Sequence, residues 1–182
     1  MKFKRKFCIL FAGAIGSSKT PIANYLSNRL NLLVHNNDSV RTEVVEDLGH
    51  LDEGEYFKRR DERILFLLNS EISFILDASI DRQWEIHKKK LDKFKYDYFV
   101  ISLDFSKNLL KQIYKQKRYK DFESLDRTLK DHDLFLKENS RFIGVNLSDG
   151  DFSKRLNICL NAVKEWMQNI QDNRKNLKTH FF

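Results

Sequence analysis

The stretch Phe7-Cys8-Ile9-Leu10-Phe11-Ala12-Gly13-Ala14-Ile15-Gly16-Ser17-Ser18-Lys19-Thr20 decides how the rest of the chain is read. Its opening part, Phe7 to Ala12, is an unbroken apolar run of strand length, which suits a strand buried on both faces of a parallel sheet. The run stops at Gly13. From Thr20 onward, Ile22, Ala23, Leu26 and Leu30 recur at helical spacing, and Pro21 sits in the first turn, where its missing N–H costs nothing. The expected order is strand, glycine-bearing turn, helix. The basic start Met1-Lys2-Phe3-Lys4-Arg5-Lys6, with Ala12-Gly13-Ala14 after the apolar run, also imitates a secretory leader and its cleavage site. A central strand feeding a loop is the better use of the same residues.

Working outward, Leu32 to Asn36 reads as a second strand, and Asn37-Asp38-Ser39 as the corner before a helix from about Val40 to Leu48. Residues from Glu55 to about Asn69 carry Tyr56, Ile64, Leu65, Leu67 and Leu68 among charges, the pattern of an amphipathic helix. Ile72 to Asp77 looks like a third strand ending in an acid. The alternation continues with a helix from Asp81 to about Lys93, a strand Tyr98 to Leu103 and a helix Lys107 to Gln116. It ends with a strand Phe142 to Leu147 and a helix Phe152 to Ile170. Such alternation predicts an α/β fold, a parallel sheet between helical layers with its ligand at the carboxyl ends of the strands. Residues 1–171 are expected to form a single domain and 172–182 a frayed polar tail.

Composition agrees. Hydrophobic residues make up 41% of 182 residues and include fifteen Phe, enough apolar surface to exclude a wholly disordered chain. One Pro and six Gly exclude collagen-like and turn-dense all-β architectures. Cys8 and Cys159 form no metal-ligand or disulfide pattern, and no run approaches the ~20 apolar residues of a membrane span, so a soluble cytoplasmic protein is expected. His35, His50, His87, His132 and His180 show no triad or metal spacing and read as structural or surface residues. Between Lys88 and Lys120, eleven basic residues stand against three acidic ones, a local +8 beside the whole-chain +7. This 88–120 region could meet nucleic acid or the phosphates of a small anion, or could be solvated helix faces.

Gly13-Ala14-Ile15-Gly16-Ser17-Ser18-Lys19-Thr20 lies close to the pattern GxxxxGK[ST], with Ser18 in place of the second glycine. Phosphate binding asks for converging loop amides, a helix N-terminus, an ammonium for the β- and γ-phosphates and a hydroxyl for Mg²⁺. The Gly13–Ser18 backbone, the Thr20 helix, Lys19 and the Thr20 hydroxyl are the candidates. A side chain at Ser18 costs ~1 kcal/mol if that position needs positive φ. Asp38 would lie across the sheet crest from this loop, where a hydroxyl can approach a γ-phosphate, or would cap the following helix. Arg41, one turn on, could meet phosphate oxygens or be a solvated helix residue. Asp77 ends an apolar strand, a costly place for an acid unless a metal, a hydrogen bond or solvent receives it.

With these motifs, over roughly residues 7 to 120, the chain resembles the P-loop kinases grouped around polynucleotide kinase, zeta toxin and chloramphenicol phosphotransferase. Besides the loop, Asp38-Ser39-Val40-Arg41 is similar to the family's D-x-x-R motif, and Leu76-Asp77-Ala78-Ser79 to its strand ending in Asp. The resemblance implies a three-layer, nucleoside monophosphate kinase-like fold with five parallel strands in the order 2-3-1-4-5. It implies ATP and Mg²⁺ as cofactors, Asp38 as general base, Arg41 as a phosphate ligand and Asp77 as a residue that helps place Mg²⁺. It also implies a short lid segment near 112–135. Family members place arginines there, whereas this chain has Gln112-Ile113-Tyr114-Lys115-Gln116-Lys117-Arg118. Lys115, Lys117 or Arg118 would substitute, Arg118 first because its fork holds phosphate oxygens in two directions.

The function expected is transfer of the γ-phosphate of ATP to a hydroxyl of a small molecule or of a nucleic-acid 5′ end. The alternatives are a nucleotide-binding protein without catalysis, motivated by Ser18 and the altered lid, and a basic nucleic-acid-binding domain without a nucleotide pocket. Neither the acceptor nor the oligomeric state is written in the sequence.

Overall fold

The structure is a computed structural model and describes residues 6–179. Its strands are β1 (Phe7–Ala12), β2 (Leu33–Asn36), β3 (Phe74–Ser79), β4 (Asp97–Leu103) and β5 (Ile143–Leu147). They form one all-parallel sheet in the order β2-β3-β1-β4-β5, the order the resemblance implies. The helices are α1 (Lys19–Leu30), α2 (Asn37–Leu48), α3 (Glu53–Asn69), α4 (Trp84–Lys93), α5 (Lys107–Gln116), α6 (Phe122–Asn139) and α7 (Arg155–Thr179).

β1 is buried along its whole length and divides its side chains between two cores. Phe7, Ile9 and Phe11 pack with Ile22 and Leu26 of α1, Leu110 of α5 and Val163 of α7. Cys8, Leu10 and Ala12 pack with Ile64 and Leu68 of α3, Trp84 of α4 and Phe135 of α6. Period-two alternation in an all-apolar strand thus builds both helical layers. Burying each large side chain contributes ~1.5–3 kcal/mol. A third, small core of Val40, Val44 and Tyr56 joins α2 to α3 beside the end of β2. Arg59 braces that pair by reaching Glu43, Asp47 and Glu55.

Several boundaries differ from the periodic reading for identifiable reasons. α2 begins at Asn37 because the Asn36 side chain accepts the Ser39 N–H at 2.9 Å and caps the helix. α4 begins at Trp84 because residues 80–83 form a turn whose Asp81 carboxylate is drawn under the first loop. α6 occupies a stretch in which only a lid was expected, and its buried stripe is Leu125, His132 and Phe135, with an imidazole in an apolar register. A 3-10 turn, Asp149–Lys154, precedes α7, held by reciprocal capping between Ser148 and Asp151. α7 runs through Thr179, so residues 180–182 of the expected tail, and residues 1–5 of the basic start, lie outside the described residues.

Among the described residues, no helix is long and apolar enough to cross a membrane. The basic 88–120 region is split between layers, because α4 faces one core and α5 the other. Lys88 pairs with Asp92, Lys90 with Asp61 and Lys107 with Asp126. Burial, followed by arginine charges, pushes the His35 and His87 imidazoles down to about 4, so both are neutral core residues at pH 7.

Candidate active site

The loop between β1 and α1 is folded by three residues at positive φ: Gly13 (147°), Gly16 (77°) and Ser18 (78°). A Cβ on Gly13 would stand 3.0 Å from that of Leu103, and one on Gly16 would stand 2.5 Å from the Tyr114 ring of α5. Both glycines are therefore required by close approach as well as by conformation. Ser18 accepts the left-handed region at a cost of about 1–2 kcal/mol. It precedes a helix with no side-chain cap and no acid in its first turn. The N-terminal amides of α1 are thus left to an anion.

The Lys19 ammonium lies over the loop, within 3.0 Å of the Gly13 carbonyl, 2.7 Å of the Ala14 carbonyl and 3.3 Å of Ser17 Oγ. Burial pushes its pKa down to about 8 against the opposing pull of Asp81, Asp77 and Asp38. Those three carboxylates and Lys19 come from three segments of the chain, and the sheet order brings them to one crest. Asp77, at the end of β3, is served by the Thr20 hydroxyl and by the Asn36 amide. Burial raises its pKa, so the carboxylate is short of compensating charge. A hydroxyl beside an undercompensated carboxylate is a hard-oxygen donor set that fits Mg²⁺, whose other ligands would be phosphate oxygens and water. Among the described residues, no cluster of three or more His, Cys, Asp or Glu could hold a metal by itself.

Asp38 sits exposed in the first turn of α2, and because Asn36 takes the cap, its carboxylate is free for another task. One turn on, Arg41 lies 4.2 Å from the Tyr56 ring centre and donates to Glu53 at 3.1 Å, which fixes it against α3. Arg118 stands apart. It is exposed in a left-handed turn after α5, with no side-chain partner among the described residues. Its neighbour Lys117, at the end of α5, is the basic residue of this segment whose charge reaches Lys19.

Sequence reasoning did not single out four residues at this site. Asp81 accepts the Gly13 N–H at 3.0 Å and the Ser79 hydroxyl at 2.9 Å, and contacts His132 Nδ1 at 3.2 Å. His132 in turn lies 3.5 Å from Ser102 of β4, so it is part of the site's support and not an isolated core residue. Thr128 of α6 accepts the Ile15 N–H at 3.2 Å. Arg155, at the start of α7, reaches Ser18. Asp81 had a local signal, an acid four residues after Asp77 where the strand leaves the sheet. The other three come from segments more than a hundred residues away, with no motif around them.

No family model and no curated protein sequence matches the chain. Solved structures do. A gluconokinase from Sinorhizobium meliloti 1021 is similar with a TM-score of 0.67 at 12% identity, over 95% of this chain and 99% of that one. A deoxyadenosine kinase from M. mycoides gives 0.59 at 15% identity, over 87% of this chain and 100% of that one. An APS kinase from Mycobacterium tuberculosis, in complex with AMPPNP and APS, gives 0.56 at 16% identity, over 88% and 98% of the two chains. The chain has the fold of the P-loop kinases.

Proposed function

We propose that the protein transfers the γ-phosphate of ATP to a hydroxyl group of a small molecule. The observation that carries this reading is the convergence of the loop amides, Lys19, Thr20, Asp77 and Asp38 at the carboxyl ends of β1, β2 and β3. Phosphoryl transfer is mostly positioning and charge stabilisation, and each part has a residue here. The loop amides and Lys19 hold the β- and γ-phosphates. Thr20 and Asp77 would hold Mg²⁺, which supplies neutralisation of the phosphate charge. Asp38 accepts the proton of the attacking hydroxyl as its oxygen bonds to the γ-phosphorus and the bond to the bridging oxygen breaks, releasing ADP. Arg41, held on Tyr56 and Glu53 of the braced α2–α3 pair, would have to leave Glu53 to serve the phosphate. The separation of the basic 88–120 residues onto opposite layers supports a small acceptor over a polynucleotide, which needs a continuous cationic track.

The test is ATP consumption together with mass spectrometry over a panel of nucleosides, sugars, antibiotics and 5′-hydroxyl oligonucleotides. A product heavier by one phosphoryl group in a small-molecule pool is the expected result. Tight ATP binding with no transfer to any member would favour a nucleotide-binding protein without catalysis.

The low pKa of Lys19 gives a pH dependence. Below about pH 8 the group is a cation and meets the phosphates directly; above it, binding must first draw a proton from solvent. ATP affinity is therefore expected to fall by about tenfold per pH unit above that point, with proton uptake. Calorimetric titrations in buffers of different ionisation enthalpy measure both quantities, and a flat affinity up to about pH 9.5 would refute the coupling.

A further inference from the structure

The one departure from the phosphate-loop pattern, Ser18, is tied into the site from the far end of the chain. Its Oγ accepts Nε of Arg155 at 2.8 Å. Arg155 Nη1 donates to the Phe152 carbonyl at 2.7 Å, and the guanidinium lies 4.2 Å from the centre of the Phe152 ring. Three contacts thus fix the guanidinium beside the uncapped end of α1, with Nη2 unspent among the described residues. No carboxylate there pairs with it among the described residues. Its charge reaches another cation, Lys117, and each is held below its ordinary pKa, first by burial. Two like charges at a helix N-terminus are an arrangement an anion completes.

Topology says which anion. Asp38 and Asp77 follow β2 and β3, so the transferred phosphate faces that half of the sheet. Arg155 follows β5 on the opposite half, where α7 packs on α1. In-line transfer points the rest of the polyphosphate away from the acceptor, toward Arg155.

We propose that Arg155, positioned by Ser18, and Lys117 hold the phosphates of ATP that are not transferred, and so supply from α7 and the lid the cations that lid arginines would provide. This rests on the ATP reading above. The measurement is calorimetric titration of ATP, ADP and AMP with Mg²⁺ into the wild type and into Arg155→Ala, Arg155→Lys, Lys117→Ala and Ser18→Gly, with thermal melting alongside. Arg155→Ala is expected to weaken ATP and ADP alike by about tenfold or more, and Arg155→Lys to restore part of the loss. Ser18→Gly relieves the backbone and raises the melting temperature, yet weakens both nucleotides, and adds nothing in the Arg155→Ala background. Should Arg155→Ala not fold, Arg155→Gln carries the same comparison. ADP binding within twofold of wild type, or a loss confined to ATP, would overturn the proposal. A wild-type protein that binds no nucleotide would instead remove the ATP reading itself, and this proposal with it.

Discussion

Asp38→Asn lowers phosphoryl transfer by about 10²–10⁴-fold and leaves ATP affinity nearly unchanged. The substitution keeps the shape of the side chain and removes only its capacity to take a proton. Helix α2 should not suffer, because Asn36 makes its capping bond. The loop, Lys19 and Thr20 are untouched, so the nucleotide still binds while the attacking hydroxyl keeps its proton. Single-turnover transfer and equilibrium ATP binding, measured on the same preparation, separate the two effects. Transfer by Asp38→Asn at the wild-type rate would mean that another group, or none, serves as base.

The largest loss of stability is expected at Asp81, whose side chain is 3% exposed and carries the root of the phosphate loop. One oxygen receives the Gly13 N–H and the Ser79 hydroxyl, and the other meets His132, itself 2% exposed. Asp81→Ala leaves a buried amide and a buried imidazole without their acceptor, at a cost of about 3–5 kcal/mol. Denaturant unfolding measures that loss. Nucleotide binding should weaken too, since Gly13 positions the loop and Asp81 is the strongest of the three charges supporting the Lys19 cation. His132→Phe fills the space but removes the ring nitrogen, and is expected to cost less, because Asp81 keeps its contacts to Gly13 and Ser79. A stable Asp81→Ala with wild-type nucleotide affinity would show that the loop holds its shape without this carboxylate.

Most of the fold was legible because its central signals are local. The apolar run Phe7–Ala12, the turn at Gly13 and the helix after Thr20 each announce themselves within a few residues, and alternation of strand and helix leaves few topologies open. Helix α6 was not legible. Its buried face spends one position on His132, so the apolar period breaks where the chain invests in the loop's support. Asp81 likewise hides as a helix start, since an acid before Trp84 is an ordinary capping signal until the structure shows its carboxylate turned toward Gly13. The crest positions Lys19, Thr20, Asp38 and Asp77 were legible as positions because the first two close the loop pattern after β1 and the other two sit at or just beyond a strand end. Arg155 was not, because its partner lies 137 positions earlier and nothing in a one-dimensional pattern links a serine in a loop to an arginine near the far terminus.

Asn36 has a double engagement that binds the end of β3 to the start of α2. Its side-chain oxygen starts the helix that carries Asp38, while its nitrogen holds Asp77 beside Thr20. Asp77 and the helix start that carries Asp38 therefore share one rigid amide as their common datum. A thermal displacement of α2 cannot open the distance between them without first breaking that bridge, so the start of α2 and the end of β3 move as one body.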